Sequence, residues 1–329
     1  MITMTKLIAE VCQNHKGNRG LLKELIFAAA EAGADIVKGQ VIFSDDLTYR
    51  ERFEGGVVEH NGVRKTIQRP YGPERERLSK LDLNEDDYRF FIEECYRAGV
   101  RPMLTVFSRK RIPFAASLPW QGEKLFKVAS YDCASFPMLR ELAGYFDRLI
   151  VSTGGTFDDE IKQAAEILRS SAKPYALLHC VTSYPNTLAM ANLARIRWLK
   201  QFAPETGWSD HTLVERDGIK AAKVAIMLGA DYVERHFTVL PSEETKDGPV
   251  SITPQLLADL KAFSRLSGEE QREAVKQDIP EWPIMIGASE RELIHTEMLN
   301  RDYYRGRFAS RVGEEWVYNW EDGLEREKV

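Results

Sequence analysis

Cysteine is scarce in this chain. Four residues in 329, Cys12, Cys95, Cys133 and Cys180, lie far apart and form neither a CxxC pair nor a dense framework. That spacing excludes a disulfide-stapled fold and reads as reduced packing residues. Long apolar runs are missing too: nothing approaches the length needed to span a bilayer, and MITMTKLIAE has no extended apolar core of the signal-peptide kind. Cytoplasm is therefore the expected location, with no membrane partner. An excess of basic charge is also absent. Forty-five Lys and Arg against fifty Asp and Glu leave a formal charge of -5, so no global field would hold nucleic acid or an anionic membrane. A phosphorylated substrate would need local cations instead.

What is present is a globular composition, 43% hydrophobic and 29% charged. Eight short apolar, β-branched runs alternate with helical patterns: Leu7–Cys12, Ile36–Gln40, Pro102–Thr105, Leu125–Val128, Leu149–Ser152, Tyr175–His179, Thr206–Ser209 and Tyr232–His236. Between them, LLKELIFAAAEAG, DDYRFFIEECYRAG, DDEIKQAAEILRSS and RDGIKAAKVAIMLG repeat apolar residues near the helical period, and Gly33, Gly99 and Gly229 stand where helices would end. Repeated βα units with right-handed crossovers predict an α/β fold, a (β/α)8 TIM barrel, with an open doubly wound sheet as the alternative. The barrel is expected over residues 1–268. Residues 269–329 read as a charged linker and a short C-terminal tail, aromatic and arginine-rich, too short for a sizeable core of its own. The polar, glycine-rich stretch Ile42–Lys80 is expected to be a lid loop after the second strand.

In such a barrel, chemistry collects at the C-terminal strand ends, and polar residues fall there in nearly every unit. Lys38 and Lys127 close hydrophobic strands, so their ammonium groups should face the mouth, and two inward cations suggest a dianionic ligand; either could instead pair with a carboxylate. Glu10, at the end of the first strand, is the strongest carboxylate candidate, with an ion pair to Lys38 as the alternative. His211 and His236 end adjacent strands within reach of one metal ion; otherwise they would hydrogen-bond to neighbours such as Asp210 and Glu234. His60 and His295 lack that context and read as structural or solvated, while His15 and His179 stay undecided.

The segments IAEVCQNHKG, AGADIVKGQ, TVFS, FKVASYD, VSTGG, LLHCVTSYP, NLARI, GWSDHT, GADYVERHFT and DGPVS, running in order from Ile8 to Ser251, resemble the sialic acid synthases and their pseudaminic, legionaminic and spore-coat relatives. The resemblance implies a barrel that uses phosphoenolpyruvate and a divalent metal, Mn2+ or Mg2+, on His211 and His236. It places phosphoenolpyruvate on Lys38, Thr105, Lys127, Ser130, Ser152 and Ser209, and the amino-sugar side on Glu10, Gln40, Tyr184 and Asp247. Asp247 rests on the resemblance alone. A homodimer is the expected assembly. The chain departs from the family at Gly39, where an aromatic residue is usual, and at Thr182, where neuraminate synthases commonly place asparagine. It also lacks a recognisable full antifreeze-like domain, whose KRPG-like segment brings a sugar-contacting arginine from the partner subunit. Only YYRGRFAS resembles that domain's opening, which puts Tyr304 forward as the aromatic sugar contact and leaves Arg305 and Arg307 as candidates for the missing arginine.

The activity implied is condensation of phosphoenolpyruvate with an N-acetylated amino-sugar aldehyde to a nonulosonic acid. Condensation with another aldose, and an inactive sugar-binding barrel, are the alternatives.

Overall fold

The computed structural model describes residues 4–322. Eight parallel strands form at Lys6–Glu10 (β1), Ile36–Val41 (β2), Arg101–Val106 (β3), Leu125–Val128 (β4), Arg148–Ser152 (β5), Tyr175–Cys180 (β6), Glu205–Asp210 (β7) and Tyr232–Phe237 (β8). β8 pairs back to β1, with Glu10 opposite His236, so the sheet closes. The fold is a (β/α)8 barrel, and the open doubly wound alternative, which would leave two edge strands, is excluded.

Alternation along each strand sorts the residues. Val37, Leu104, Phe126, Leu149, Leu177 and Val233 point outward into the layer between strands and helices. Ile8, Ile36, Met103, Leu125, Ile150, Leu178 and Tyr232 point inward, where with Ala176 they form an apolar plug. Two residues further along, the same strands carry Glu10, Lys38, Thr105, Lys127, Ser152, Cys180 and Glu234, all buried. The interior therefore changes from hydrocarbon to polar in one layer, and the polar layer lies on the side where barrel active sites are built.

Helices Arg19–Glu31 and Glu85–Arg97 start on Asn18 and Asn84, whose side chains accept from the first turn. At the other end Gly33, with φ of +92°, lets the Ala34 N–H reach back to the Ala29 carbonyl at 2.9 Å and the Gly33 N–H to Ala30. Gly99 and Gly229 make the same pair of bonds, so all three expected helix stops are left-handed caps that aim the chain into the next strand. The pattern RDGIKAAKVAIMLG does not run as one helix: Gly218, with φ of +56°, separates Val214–Asp217 from Lys220–Met227.

Two segments differ from the sequence reading in kind. The charged stretch expected to be a linker is a helix, Gly268–Asp278, capped by Ser267 and burying Gln271 and Val275 four residues apart. Residues 42–80 are folded rather than loop-like, with helices Arg52–Gly55 and Tyr71–Ser79 and a short hairpin between them. They are held by the tail. Thr48 donates its hydroxyl to the Gly306 carbonyl at 2.6 Å and its N–H to the Arg307 carbonyl at 3.0 Å, and the Ala309 N–H returns to Asp46 at 3.0 Å. Phe308 packs with Ile42, Leu47 and Leu78, its ring 5.6 Å from that of Phe107. The tail continues over its own barrel, where Asn300 donates to the Thr182 carbonyl at 2.7 Å and Asn319 to the Phe107 carbonyl at 2.9 Å. Lid and tail thus share one small core that neither could close alone. Phe308→Ala should cost about 3 kcal/mol of stability and release the tail to protease before the barrel; an unchanged denaturation midpoint with an intact tail would show that Phe308 does not hold it.

Candidate active site

The polar layer is an ionic network. Lys38 Nζ forms a buried ion pair with Glu10 and lies 3.6 Å from one oxygen of Glu234; Lys127 Nζ lies 3.6 Å from the other. Lys127 also donates to Ser152 Oγ at 2.7 Å, and Ser209 donates to Glu234 at 3.2 Å. Glu10 accepts further from the Cys12 N–H at 2.6 Å and from Gln40 Nε2 at 3.2 Å. The carboxylate pairing weighed against ligand binding is therefore formed at both lysines. It does not satisfy the layer. Thr105 Oγ1 and His236 Nδ1 are buried with no hydrogen-bond partner among the described residues, which a structural ion-pair network alone would not leave open.

The electrostatics follow from burial. Desolvation pulls Lys38 down to about 8, opposed by Glu234 and assisted by Lys127. Burial works against the Glu234 carboxylate, but Lys127 and Lys38 outweigh it and hold the group below its usual range. Two ammonium groups and two carboxylates enclosed together are close to balanced, so an entering dianion would compete with Glu234 for the lysines.

His211 and His236 face one another with ring centroids 5.1 Å apart, and the Tyr184 ring lies 4.1 Å from His211. Burial lowers both imidazoles below their ordinary value, for His211 strongly, so both are neutral at pH 7. The alternative partners expected for them are engaged elsewhere. Asp210 pairs with the buried guanidinium of Arg235 and accepts from the Thr212 N–H at 2.9 Å, and Glu234 serves the lysines. The Asp247 carboxylate, His236 and the Cys12 thiol bring one donor atom each within 4.8 Å of one another. Burial and the neighbouring Asp247 push the Cys12 thiol well up, which favours its protonated form. His236, with its unpartnered Nδ1, and the Asp247 carboxylate could both donate to one divalent ion, whereas His211, beside His236 and 3.7 Å through Nδ1 from Cys180 Sγ, lies outside that group of donors among the described residues.

The remaining sequence candidates lie around this layer. Gln40 and Thr105 stand opposite one another in the β2–β3 register. A Cβ on Gly154 would lie 3.0 Å from both Ser130 Oγ and Cys180 Sγ, which puts Ser130 against the same wall. Tyr304 stacks on Tyr131 at 5.0 Å and is bonded through its hydroxyl to Arg69 at 2.9 Å. The two tail arginines separate: Arg307 reaches Glu74 of the lid, whereas Arg305 lies 3.8 Å from Glu160 and over the Trp320 ring. His15 and His179 resolve as structural, the first accepting from the Gly17 N–H at 3.0 Å and the second bonded to the Ala191 carbonyl at 2.8 Å. His60 and His295 are exposed.

Sequence reasoning placed Glu234 on the ring only as a possible histidine partner and missed it as the carboxylate shared by both lysines. The available signal was its inward register, midway between Tyr232 and His236 on one strand.

The family is decided by comparison with known proteins: the NeuB family model matches residues 25–274. The chain belongs to the NeuB family, a family of phosphoenolpyruvate-condensing synthases of nonulosonic acids. It is 33% identical to the N,N'-diacetyllegionaminic acid synthase of Legionella pneumophila over 77% of this chain and 69% of that protein. It is 28% identical to the N-acetylneuraminate-9-phosphate synthase of Drosophila melanogaster over 85% and 77%. Among solved structures, the sialic acid synthetase of Leptospira borgpetersenii, in complex with citrate, superposes with a TM-score of 0.66 at 25% identity over 91% of each chain. A truncated 3-deoxy-D-arabino-heptulosonate 7-phosphate synthase from Thermotoga maritima, 13% identical with a TM-score of 0.56 over 84% of this chain and 88% of that one, shares the fold.

Because Asp210 is a scaffold partner of Arg235, Arg235→Met should strand a buried carboxylate and destabilise the protein by about 3–5 kcal/mol. Urea denaturation reads this directly, and a loss near zero would mean that the pair is not holding β7 to β8.

Proposed function

We propose that this protein condenses phosphoenolpyruvate with the aldehyde of an open-chain N-acetylated amino sugar, giving a nonulosonic acid and phosphate. The observation that carries the reading is the pair of buried lysines, Lys38 and Lys127, enclosed in one layer of a NeuB-family barrel beside unpartnered polar atoms.

In this reading Lys38 and Lys127, with Thr105, Ser130, Ser152 and Ser209, bind the phosphate and carboxylate of phosphoenolpyruvate. Burial makes each of those contacts stronger than it would be in water. Gln40, Tyr184, Asp247 and Tyr304 face the sugar, and Glu10 orients it or handles the proton of its hydroxyl. Carbon 3 of phosphoenolpyruvate attacks the aldehyde carbon, and the aldehyde oxygen takes up a proton. Water then adds to carbon 2, and phosphate leaves as the 2-keto group forms. Much of the rate gain comes from holding the two carbons together in a site closed by lid and tail. His211 and His236 would hold a divalent ion, Mn2+ or Mg2+, which when bound supplies a Lewis acid for the aldehyde oxygen.

Among the described residues no helix is long and apolar enough to cross a membrane. The reading places the enzyme in the cytoplasm as a homodimer, with no nucleic acid partner.

Incubation with phosphoenolpyruvate and a panel of acetamido sugars should release phosphate with formation of a nine-carbon keto acid. EDTA should abolish the reaction, and manganese or magnesium should restore it in the wild type but not in His211→Ala or His236→Ala. Failure of every sugar in the panel would overturn the reading, and full activity after chelation would remove the metal from it.

The second expectation concerns pH. Lys38 is lowered to about 8 and binds phosphoenolpyruvate only as the cation. The kcat/KM for phosphoenolpyruvate should therefore fall as pH rises through about 8, approaching a tenfold loss per unit. A profile flat to about pH 9.5 would contradict the role given to Lys38.

A further inference from the structure

The tail helix His295–Tyr304 has two sides of different character. Toward the lid it buries Tyr303, whose ring lies 5.0 Å from that of Phe53, as hydrophobic packing requires. Toward the barrel the usual order is reversed. Met298 is 41% exposed, whereas its neighbour Glu297 is fully buried. A helix held there by apolar burial alone would do the opposite. The barrel side is a polar stripe of Glu297, Asn300, Arg301 and Tyr304, spaced i, i+3, i+4 and i+7 and so aligned along one face.

Each member of the stripe meets a loop that leaves a barrel strand. Asn300 Nδ2 donates to the Thr182 carbonyl at 2.7 Å, and Glu297 Oε1 accepts from the Thr182 N–H at 3.3 Å. Arg301 donates to the Gly155 carbonyl at 2.7 Å and pairs with Glu160. The Tyr304 ring stacks on Tyr131 at 5.0 Å. One helix face thus reads the loops after β4, β5 and β6, and at the last two it reads backbone groups, which fixes where those loops run.

Thr182 is the point held most completely. It lies beyond the end of β6, where the strand ladder no longer pairs its backbone, and the helix takes both its N–H and its carbonyl. Its side chain stays toward the site: a Cβ on Gly155 would lie 3.1 Å from Thr182 Oγ1, and one on Gly154 2.6 Å from its methyl carbon and 3.0 Å from Ser130 Oγ. Two residues on, the Tyr184 ring lies 4.1 Å from that of His211. Glu297 also accepts from the Ile294 N–H at 3.2 Å and from Arg291 Nη2 at 2.8 Å. Closing the start of a helix does not require burial, since a capping carboxylate serves equally at the surface. Enclosing this ion pair costs desolvation, and the result is an acceptor fixed beside Thr182.

We propose that Asn300 and Glu297 are positioning residues for the acceptor. By holding the backbone of Thr182 they set the run from Thr182 to Tyr184, and with it the affinity for the sugar, while the lysine layer binds phosphoenolpyruvate independently of them. This rests on the condensation reading for the identity of the sugar; the hold on the loop is measurable without it.

Asn300→Asp keeps the shape of the side chain but sets an acceptor against a carbonyl that needs a donor. Amide deuterium exchange in residues 181–186 of this variant should quicken about tenfold or more, with wild-type rates kept in β6 and in the core around Phe308. With the best acetamido sugar of the panel, the KM for sugar should rise about tenfold. The kcat and the dissociation constant of phosphoenolpyruvate should stay within about threefold. Glu297→Ala should move the same readouts in the same direction; where it fails to fold, Asn300→Asp decides alone. Met298→Ala, on the outward face, should move none of them. Unchanged exchange in residues 181–186, a rise spread over the whole tail, or faster local exchange with an unaltered sugar KM each overturns the proposal. If wild type turns over no sugar, calorimetry of the sugar alone replaces KM. Weaker binding in Asn300→Asp together with local exchange then supports the positioning role and counts against the condensation reading, whereas no sugar binding by wild type overturns both.

Discussion

Everything in this molecule that bears on function depends on enclosing Lys38 and Lys127 together inside the barrel. An ammonium group moved from water into a protein interior loses solvation worth several kcal/mol, and a second one beside it adds repulsion. The barrel tolerates the pair because Glu10 and Glu234 enter the same layer from β1 and β8, with Ser152 and Ser209 supplying hydroxyls. That balance is costly to maintain for stability alone, since apolar residues of similar size would pack there without desolvation cost. An entering anion would compete with those carboxylates for the lysines.

The second constraint is closure. A polar layer open to bulk water would be screened and would lose most of its electrostatic leverage. The insert after β2 and the C-terminal tail solve this jointly: the Thr48–Gly306 and Asp46–Ala309 hydrogen bonds and the small core around Phe308 build one cover from segments about 260 residues apart. The same cover carries Tyr304, Arg69 and Arg307 to the mouth. Arg307, which reaches Glu74 across that cover, comes from the chain's own short tail.

How legible this was in the sequence varied with the range of the interaction. The eight strands, the helix stops at Gly33, Gly99 and Gly229 and the ring of polar strand ends depend on local periodicity and cap chemistry, and all were readable. The segment after residue 268 misled, because its many charges hid one buried stripe, Gln271 and Val275. Glu234 was undervalued because one carboxylate between two lysines is a relation among three strands, and no spacing along the chain expresses it.

By itself, then, the sequence determined the alternation of strand and helix, the inward register of Glu10, Lys38, Lys127 and His236, and the family to which the chain belongs, since each follows from residue order over short spans or from motifs in line. Tertiary structure alone decided which charges neutralise which. It sent Asp210 to Arg235 rather than to a histidine, set Glu234 between the lysines, and turned Arg307 to Glu74 but Arg305 toward Glu160. Coulombic and hydrogen-bonding partners are chosen by distances of a few ångströms in space, and a closed barrel with a shared cover sets those distances between residues that the chain itself keeps far apart.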